Sequence, residues 1–289
     1  YILNGEPVPF TTQLLFGFCD QFVLKNIKKL LGLNNCRYAL SGAAPISPEL
    51  IDWYLSIGLD MREGWGMTET AGIGTAFYSR EIKKGCVGRA IDGSEVQIAK
   101  DGEILFRGPG VFCGYLNKPE QTNETIIDGW LHTGDVGQLD NSGNLKITDR
   151  KKDIIITAGG KNISPSEIEN ELKFSAFISD AVVIGDKRKF LSCLIMIDEE
   201  NVMKFAQDHD VPFSNFESLC KSKEIIDLIQ LEVNQVNKKF ANVEQVKKFT
   251  LIDVQLTAED DELTPTMKLK RKFINQKYTN IIEAMYKTA

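Results

Sequence analysis

The chain has 289 residues, 43% of them hydrophobic and 26% charged, which suits one large domain or two medium ones built on real cores. Its formal net charge of −6 argues against a general polyanion-binding surface, so no nucleic-acid partner is expected. No apolar run approaches the roughly 18 residues of a membrane span, and no stretch reads as a signal peptide. The scattered cysteines (Cys19, Cys36, Cys86, Cys113, Cys193 and Cys220) lack metal-ligand spacing and read as buried free thiols of a reducing cytoplasm.

Over residues 1–90 the pattern alternates helix and strand. Arg37-Tyr38-Ala39-Leu40, ahead of Ser41-Gly42, reads as a short buried strand entering a loop. Ser47-Pro48-Glu49 supplies an N-cap, a first-turn proline and an acidic first turn, and Leu50, Ile51, Tyr54 and Leu55 follow at helical spacing. Such strand–loop–helix units predict an α/β sheet. Over 91–150 strands and turns take over. Asp101-Gly102 separates Val96 and Ile98 from Ile104, Leu105 and Phe106, a hairpin signal, and Asn141-Ser142-Gly143 precedes Leu145 and Ile147. This stretch reads as a β-rich, barrel-like subdomain. Over 151–289 the charge run ending at Asp153 leads to Ile154-Ile155-Ile156-Thr157, then to the helix start Ser164-Pro165-Ser166-Glu167. Strands are expected at Ala181–Ile184, Cys193–Ile197 and Phe249–Ile252. A helical stretch with Ile225, Leu228, Ile229, Val233, Val236 and Phe240 on one face lies between the last two. That order predicts a compact α+β domain.

Four segments hold residue types that carry chemistry. Gly64-Trp65-Gly66-Met67-Thr68-Glu69-Thr70 joins glycines that admit close backbone approach to a flat indole, a hydroxyl suited to a phosphate and a hard oxygen ligand for Mg²⁺. A strand end with a packed Trp fits the same residues equally well. In Asp128-Gly129-Trp130-Leu131-His132-Thr133-Gly134-Asp135, the final carboxylate can accept from a ribose diol or simply cap a turn, and His132 reads as a hydrogen-bonding residue rather than a general base. Thr148-Asp149-Arg150-Lys151-Lys152-Asp153 runs towards Gly159-Gly160-Lys161-Asn162. The Arg150 guanidinium suits ribose or phosphate oxygens, with a solvated charge run as the plain alternative. Leu263-Thr264-Pro265-Thr266-Met267-Lys268-Leu269-Lys270-Arg271 offers Lys268 as a point charge for a carboxylate and an α-phosphate, or as surface decoration.

Taken together and in order, these segments resemble the adenylate-forming superfamily of acyl-CoA synthetases, luciferases and peptide-synthetase adenylation domains. Ser41-Gly42-Ala43-Ala44-Pro45 is similar to its adenine-side loop, and Gly64 to Glu69 to its Y-G-x-T-E motif, with Trp65 in place of Tyr. Tyr115 to Thr122 resembles its G-Y-x-x-x-P-E-x-T stretch and Trp130 to Asp135 its W-x-x-T-G-D motif. Asp149 to Asp153 resembles its hinge motif and Pro265 to Arg271 its C-terminal lysine motif. Asp128 to Asp135 and Ile147 to Asp153 look like long-chain fatty acyl-CoA synthetases, and Leu263 to Arg271 like the bubblegum-type branch.

The resemblance implies the C-terminal part of a large adenylating domain, α/β over 1–90 and β-rich over 91–150, followed by a small mobile α+β domain over 151–289. It implies a long-chain fatty acid–CoA ligase that turns ATP, a fatty acid and coenzyme A into acyl-CoA, AMP and pyrophosphate through an acyl-adenylate. In that scheme Trp65 stacks on adenine, which Gly42, Ala43 and Gly64 line. Thr68 contacts the α-phosphate, Glu69 holds Mg²⁺, Asp135 takes the ribose hydroxyls and Arg150 supports the same sugar. Lys268 stabilises the α-phosphate under attack, Lys152 is the hinge, and Gly159, Gly160 and Lys161 line the pantetheine tunnel. Two departures stand out. Met267 precedes Lys268 where much of the superfamily has Gly, and the Ser/Thr/Gly-rich phosphate loop does not occur in these residues. With Tyr1 rather than Met at its start, the sequence is expected to be a fragment, inactive alone. The rivals are a fatty acyl-AMP ligase, an aryl-CoA ligase and, from another class, a non-catalytic fragment that binds nucleotide or a partner. The expected compartment is the cytoplasm; peripheral membrane contact and a homodimer are left open.

Overall fold

Short turns with glycine or asparagine-like geometry set the course of the first half of the chain. The computed structural model describes residues 7–44, 46–78, 82–254 and 270–287, and the chain divides into two compact units, Tyr1–Lys152 and Asp153–Ala289. In the first unit, helix α1 (Phe10–Cys19) passes through a π-turn (Asp20–Leu24) into α2 (Lys25–Leu30). None of these residues is buried, and Phe10, Phe18 and Phe22 are 73%, 65% and 62% exposed. Strand β1 (Ala39–Ser41), helix α3 (Pro48–Ser56) and strand β2 (Met61–Trp65) then form a βαβ unit, with β1 and β2 parallel and Ser41 opposite Glu63. Helix α3 starts where its sequence signals lie. Ser47 Oγ accepts from the Leu50 N–H at 3.1 Å, and Pro48 occupies the first turn, where its missing N–H removes no helical bond.

Two expectations are corrected here. Strand β1 is not buried: Leu40, on one face of the strand, is 52% exposed, and Ala39 and Ser41 on the other are half-buried. The helix–strand alternation also ends earlier than residue 90. Ala71 and Gly72, both at positive φ, turn the chain back on itself, and strands β3 (Thr75–Ala76) and β4 (Arg89–Ala90) extend the sheet antiparallel to β2.

The β-rich part contains β5 (Glu95–Ile98), β6 (Glu103–Arg107), helix α4 (Pro119–Thr125), β7 (Ile126–Ile127), β8 (Trp130–Leu139) and β9 (Leu145–Arg150). Its sheet runs β5-β6-β8-β7, with β9 also paired to β8; it stays open, and no barrel closes among the described residues. Asp128 and Gly129 both take positive φ, 52° and 79°, and join β7 to β8 by a two-residue turn whose twist matches the strands. Trp65, Ile104, Phe106, Leu131 and Leu145 make the core beneath this sheet.

The second unit opens with the hairpin β10 (Ile155–Ile156) and β11 (Asn162–Ile163), then α5 (Pro165–Lys173), β12 (Ile178–Ile184) and β13 (Leu191–Ile197). After them come α6 (Glu199–Asp208), α7 (Phe216–Lys221), α8 (Lys223–Asn237), β14 (Val246–Leu251), α9 (Arg271–Lys277) and α10 (Thr279–Lys287). The sheet order is β12-β13-β14, antiparallel then parallel. All seven residues of β13 are buried, as an apolar central strand covered on both faces requires. On one face Ala181, Val183, Cys193 and Ile195 meet Ile168, Leu172, Ile225, Ile229 and Val233 of α5 and α8. On the other, Val182, Ile184, Leu194 and Met196 meet Ile274, Tyr278, Ile282 and Met285. All six cysteines are free thiols; Cys86, Cys193 and Cys220 are buried as expected, whereas Cys113 is exposed. Among the described residues no helix is long and apolar enough to cross a membrane.

Two buried carboxylates generate predictions. Glu169 receives both Arg271 Nη2 contacts, at 2.7 and 2.8 Å, and the Val183 N–H at 2.7 Å, while Arg271 Nη1 donates to the Val183 carbonyl at 2.9 Å. This clamp ties α5, β12 and the start of α9. Glu169→Ala strips the half-buried Arg271 guanidinium of its carboxylate and leaves the Val183 N–H without this acceptor, so it should lower the stability of the second unit by about 2 kcal/mol or more. A urea midpoint unchanged within error would contradict that. Glu63, 7% exposed on β2, accepts among the described residues only a 3.5 Å contact from the Ile46 N–H, and burial raises its pKa from 4.5 to about 7. A carboxyl with a raised folded pKa binds its proton more tightly when folded. Its contribution is therefore favourable below about pH 4.5 and is lost as pH rises to about 7, a penalty of roughly 3 kcal/mol above that window. Glu63→Gln should flatten this fall between pH 5 and 8 in equilibrium unfolding; an identical pH slope in the variant would refute it.

Candidate nucleotide site

The site begins where two parallel strands end. The loops after β1 and β2 leave the same edge of the sheet, the position at which α/β sheets hold ligands. They run close together because their glycines leave no side chain between them. A Cβ on Gly42 would sit 3.1 Å from the Gly64 carbonyl oxygen, and one on Gly66 would sit 2.4 Å from that of Gly72. Ala43, at φ 66°, bends the first loop at that edge.

The second loop runs into a single 3₁₀ turn, Thr68–Thr70. Thr70, 1% exposed, spends its hydroxyl inside the turn, accepting from the Met67 N–H at 2.9 Å and donating to the Met67 carbonyl at 3.0 Å. Thr68 is exposed, and its hydroxyl has no partner among the described residues, so of the two threonines it is the one open to a ligand. Glu69 is half-buried and held from the β-rich side. The Tyr115 O–H donates to its Oε1 at 2.7 Å, and the Phe112 N–H donates to its main-chain carbonyl at 2.9 Å. Thr122 fixes Tyr115 in turn, its Oγ1 accepting from the Tyr115 N–H at 2.9 Å. Burial, with the Glu69 carboxylate beside it, pushes the Tyr115 phenol up. Glu69 Oε2 takes no hydrogen bond among the described residues. One free carboxylate oxygen suits Mg²⁺, which is commonly held by one or two carboxylates together with phosphate oxygens. No cluster of three acidic, His or Cys side chains that could cage a metal alone exists among the described residues.

Asp135 lies on β8 directly opposite Arg150 on β9. Its carboxylate is 6% exposed. Oδ2 accepts from the Trp65 Nε1–H at 2.8 Å, and Oδ1 meets Arg150 Nε at 3.1 Å. Arg150 itself is half exposed, so its guanidinium can also reach a ligand. Trp65 is only 6% exposed, edge-on to Phe106 at 6.1 Å between ring centres. Gly74 lies so close that a Cβ there would come within 2.7 Å of the indole.

Next to Asp135, Glu103 gathers three donors: the Gly134 N–H at 2.9 Å, His132 Nδ1 at 3.2 Å and Lys151 Nζ at 3.1 Å. Burial opposes its charge, but the Lys151, His132 and Gly134 donors outweigh that and hold the carboxyl below its usual range. Lys151 also pairs with Asp101 at 2.7 Å. His132 therefore has the hydrogen-bonding role that its sequence suggested.

The structure thus joins Trp65, Asp135 and Arg150 in one bonded chain, with Thr68 and Glu69 on the turn just beyond Trp65. Lys152 is the exposed last residue of the first unit. Gly159, Gly160 and Lys161 lie in the second unit, in the turn between β10 and β11, where the Gly160 N–H donates to the Thr157 carbonyl at 2.9 Å. Lys161 Nζ lies 3.8 Å from Glu244. Lys268 lies outside the described residues. Sequence reasoning missed Tyr115 and Glu103. Tyr115 had a signal, the motif-like stretch Tyr115 to Thr122, which carried no role; Glu103 had none.

The model of the AMP-binding enzyme family matches residues 12–116, and that of the AMP-binding enzyme C-terminal domain matches residues 152–289. Among curated proteins, the long-chain-fatty-acid–CoA ligase FadD15 of Mycobacterium tuberculosis is 40% identical over 268 residues, covering 92% of this chain and 44% of that protein. The long-chain-fatty-acid–CoA ligase ACSBG2 of Gallus gallus is 35% identical, covering 95% of this chain and 39% of its own length. The chain therefore spans about half the length, or less, of the relatives it matches. Among solved structures, the O-succinylbenzoate coenzyme A synthetase of Bacillus subtilis, in complex with ATP and a magnesium ion, superimposes with a TM-score of 0.61 at 27% identity, covering 82% of this chain and 46% of that one. The A domain of a carboxylic acid reductase from Segniliparus rugosus shares the fold, with a TM-score of 0.71 at 19% identity over 99% of this chain and 43% of that one.

Proposed function

Since the chain belongs to the AMP-binding enzyme family, we propose that it is the C-terminal half of an AMP-forming long-chain fatty acid–CoA ligase. The observation that carries this reading is the fixed Asp135 carboxylate, held between the Trp65 N–H and Arg150 beside the outward-facing Thr68 and Glu69. The relatives named as long-chain-fatty-acid–CoA ligases support the substrate class. On this reading Gly42, Ala43 and Gly64 line the adenine, with the exposed strip of Trp65 against the base. Asp135 and Arg150 take the ribose, and Thr68 takes the α-phosphate. Glu69 would hold Mg²⁺, which when bound would neutralise phosphate charge. A carboxylate can bridge such an ion only if an oxygen is left over, and Tyr115 engages just one of the two.

Lys268 is assigned to the α-phosphate during attack by the fatty carboxylate. A fixed cation at developing charge in a site poor in water contributes about 10²–10³ in rate. The second unit is proposed to rotate about Lys152, withdrawing Lys268 and bringing Gly159, Gly160 and Lys161 to the pantetheine arm of coenzyme A. The division of the chain directly after Lys152 supports a pivot there. The phosphate loop that resembling enzymes carry does not occur in this sequence, so the complete reaction is assigned to a full-length protein. The polypeptide described here is expected to bind nucleotide without turnover. Peripheral contact with a membrane and a homodimer are compatible with this assignment.

Lys268→Ala in the full-length protein should lower adenylation by about 10²–10³ while leaving thioester formation from supplied acyl-adenylate within a few-fold. Equal loss of both half-reactions would remove Lys268 from this role. Lys152→Pro should slow thioester formation more than adenylation, read by pyrophosphate release against acyl-CoA formation; unchanged turnover would argue against a hinge at that residue. Release of thiol from coenzyme A, compared across fatty and aryl acids, separates the ligase from an aryl-CoA ligase or a fatty acyl-AMP ligase.

A further inference from the structure

Within the nucleotide site just proposed, we infer that Trp65 is a positioning residue for Asp135, and that its indole N–H sets the preference of the site for a ribose over a deoxyribose. The resemblance suggests only an aromatic face at this position. The geometry adds a directed donor. Nε1–H points at Asp135 Oδ2 from 2.8 Å, between two side chains that are each 6% exposed, so water does not compete for the bond. Indole donates and never accepts, so the bond has one polarity, whereas a hydroxyl could turn away or reverse it. The ring cannot swing: Phe106 lies edge-on to it, and Gly74 approaches so closely that even a Cβ there would collide.

The opposite oxygen of Asp135 is set by Arg150, its partner across the β8–β9 ladder, at 3.1 Å. A donor on each oxygen defines the plane of the carboxylate, so its lone-pair directions are fixed in space before a sugar arrives. A Tyr at this position would carry its hydroxyl on the far end of the ring axis, whereas an indole presents N–H from the side of its five-membered ring. The Trp is therefore a distinct solution and not a conservative replacement. Without the N–H, the carboxylate turns about its Cβ–Cγ bond, and a diol loses its aligned acceptor while a deoxyribose loses little.

The test measures AMP, 2′-deoxy-AMP and 3′-deoxy-AMP binding by calorimetry, in the protein at its full natural length. Trp65→Phe should reduce the preference for AMP over the deoxynucleotides by about tenfold, a ratio from which the base contact common to all three cancels. Trp65→Tyr should not restore the preference. Should Trp65→Phe fail to fold, site-directed replacement of Trp65 by 3-benzothienylalanine removes the N–H while keeping the ring, and the same loss of preference is expected. A preference equal to the parent's in either variant, or an equal loss for AMP and deoxynucleotides, overturns the inference and leaves the nucleotide site standing. Failure of the unaltered protein to bind AMP overturns both.

Discussion

A carboxylate withdrawn from water must find donors, and the first unit is organised around the one at Asp135. Trp65 and Arg150 reach it from different layers. Trp65 ends a strand of the parallel pair, while Arg150 ends a strand of the β-rich sheet. Satisfying one buried charge therefore fastens the two sheets together at the edge where the loops of Gly42 and Gly64 emerge. Beneath the bond, Trp65 shares its core with Ile104, Phe106, Leu131 and Leu145, so the polar tie and the apolar packing hold the same ring. Glu103 repeats the arrangement one step away: a buried carboxylate draws in Gly134, His132 and Lys151, and so anchors both the residue before Asp135 and the residue before Lys152.

The outward chemistry sits on elements whose internal bonds are already made. Thr70 closes the turn with its own hydroxyl, and that closure leaves Thr68 exposed and Glu69 half-buried on the same turn. Tyr115 then takes one oxygen of Glu69 and leaves the other. In the second unit the comparable anchor is Arg271, three residues after Lys268, locked to Glu169 and to the Val183 carbonyl.

Local features of the fold were legible because they depend on neighbours in sequence. Asp101-Gly102 and Asn141-Ser142-Gly143 turn the strands where their dihedrals allow, Ser47-Pro48 starts α3, and the apolar stripe from Ile225 to Val236 is the buried face of α8. The ordered segments that resemble adenylating enzymes were legible for the same reason. Pairings across long separations were not. Trp65 with Asp135, Tyr115 with Glu69 and Glu103 with His132 lie 70, 46 and 29 residues apart, and no periodicity encodes them. The sequence suggested Trp65 as a stacking face, but its burial and its N–H bond depend on Phe106 and Asp135, which only the fold brings near. Burial of β1 was misjudged because the four residues Arg37 to Leu40 do not reveal what will cover them in the fold.

The account depends on a nucleotide monophosphate meeting Asp135, Arg150 and Thr68 at once. A crystal structure of the full-length protein with AMP tests this most directly. It should place both ribose hydroxyls on Asp135 and Arg150 and the phosphate at Thr68, with the Trp65–Asp135 hydrogen bond intact. AMP seated away from that carboxylate, or an Asp135 side chain turned from the sugar, would contradict it.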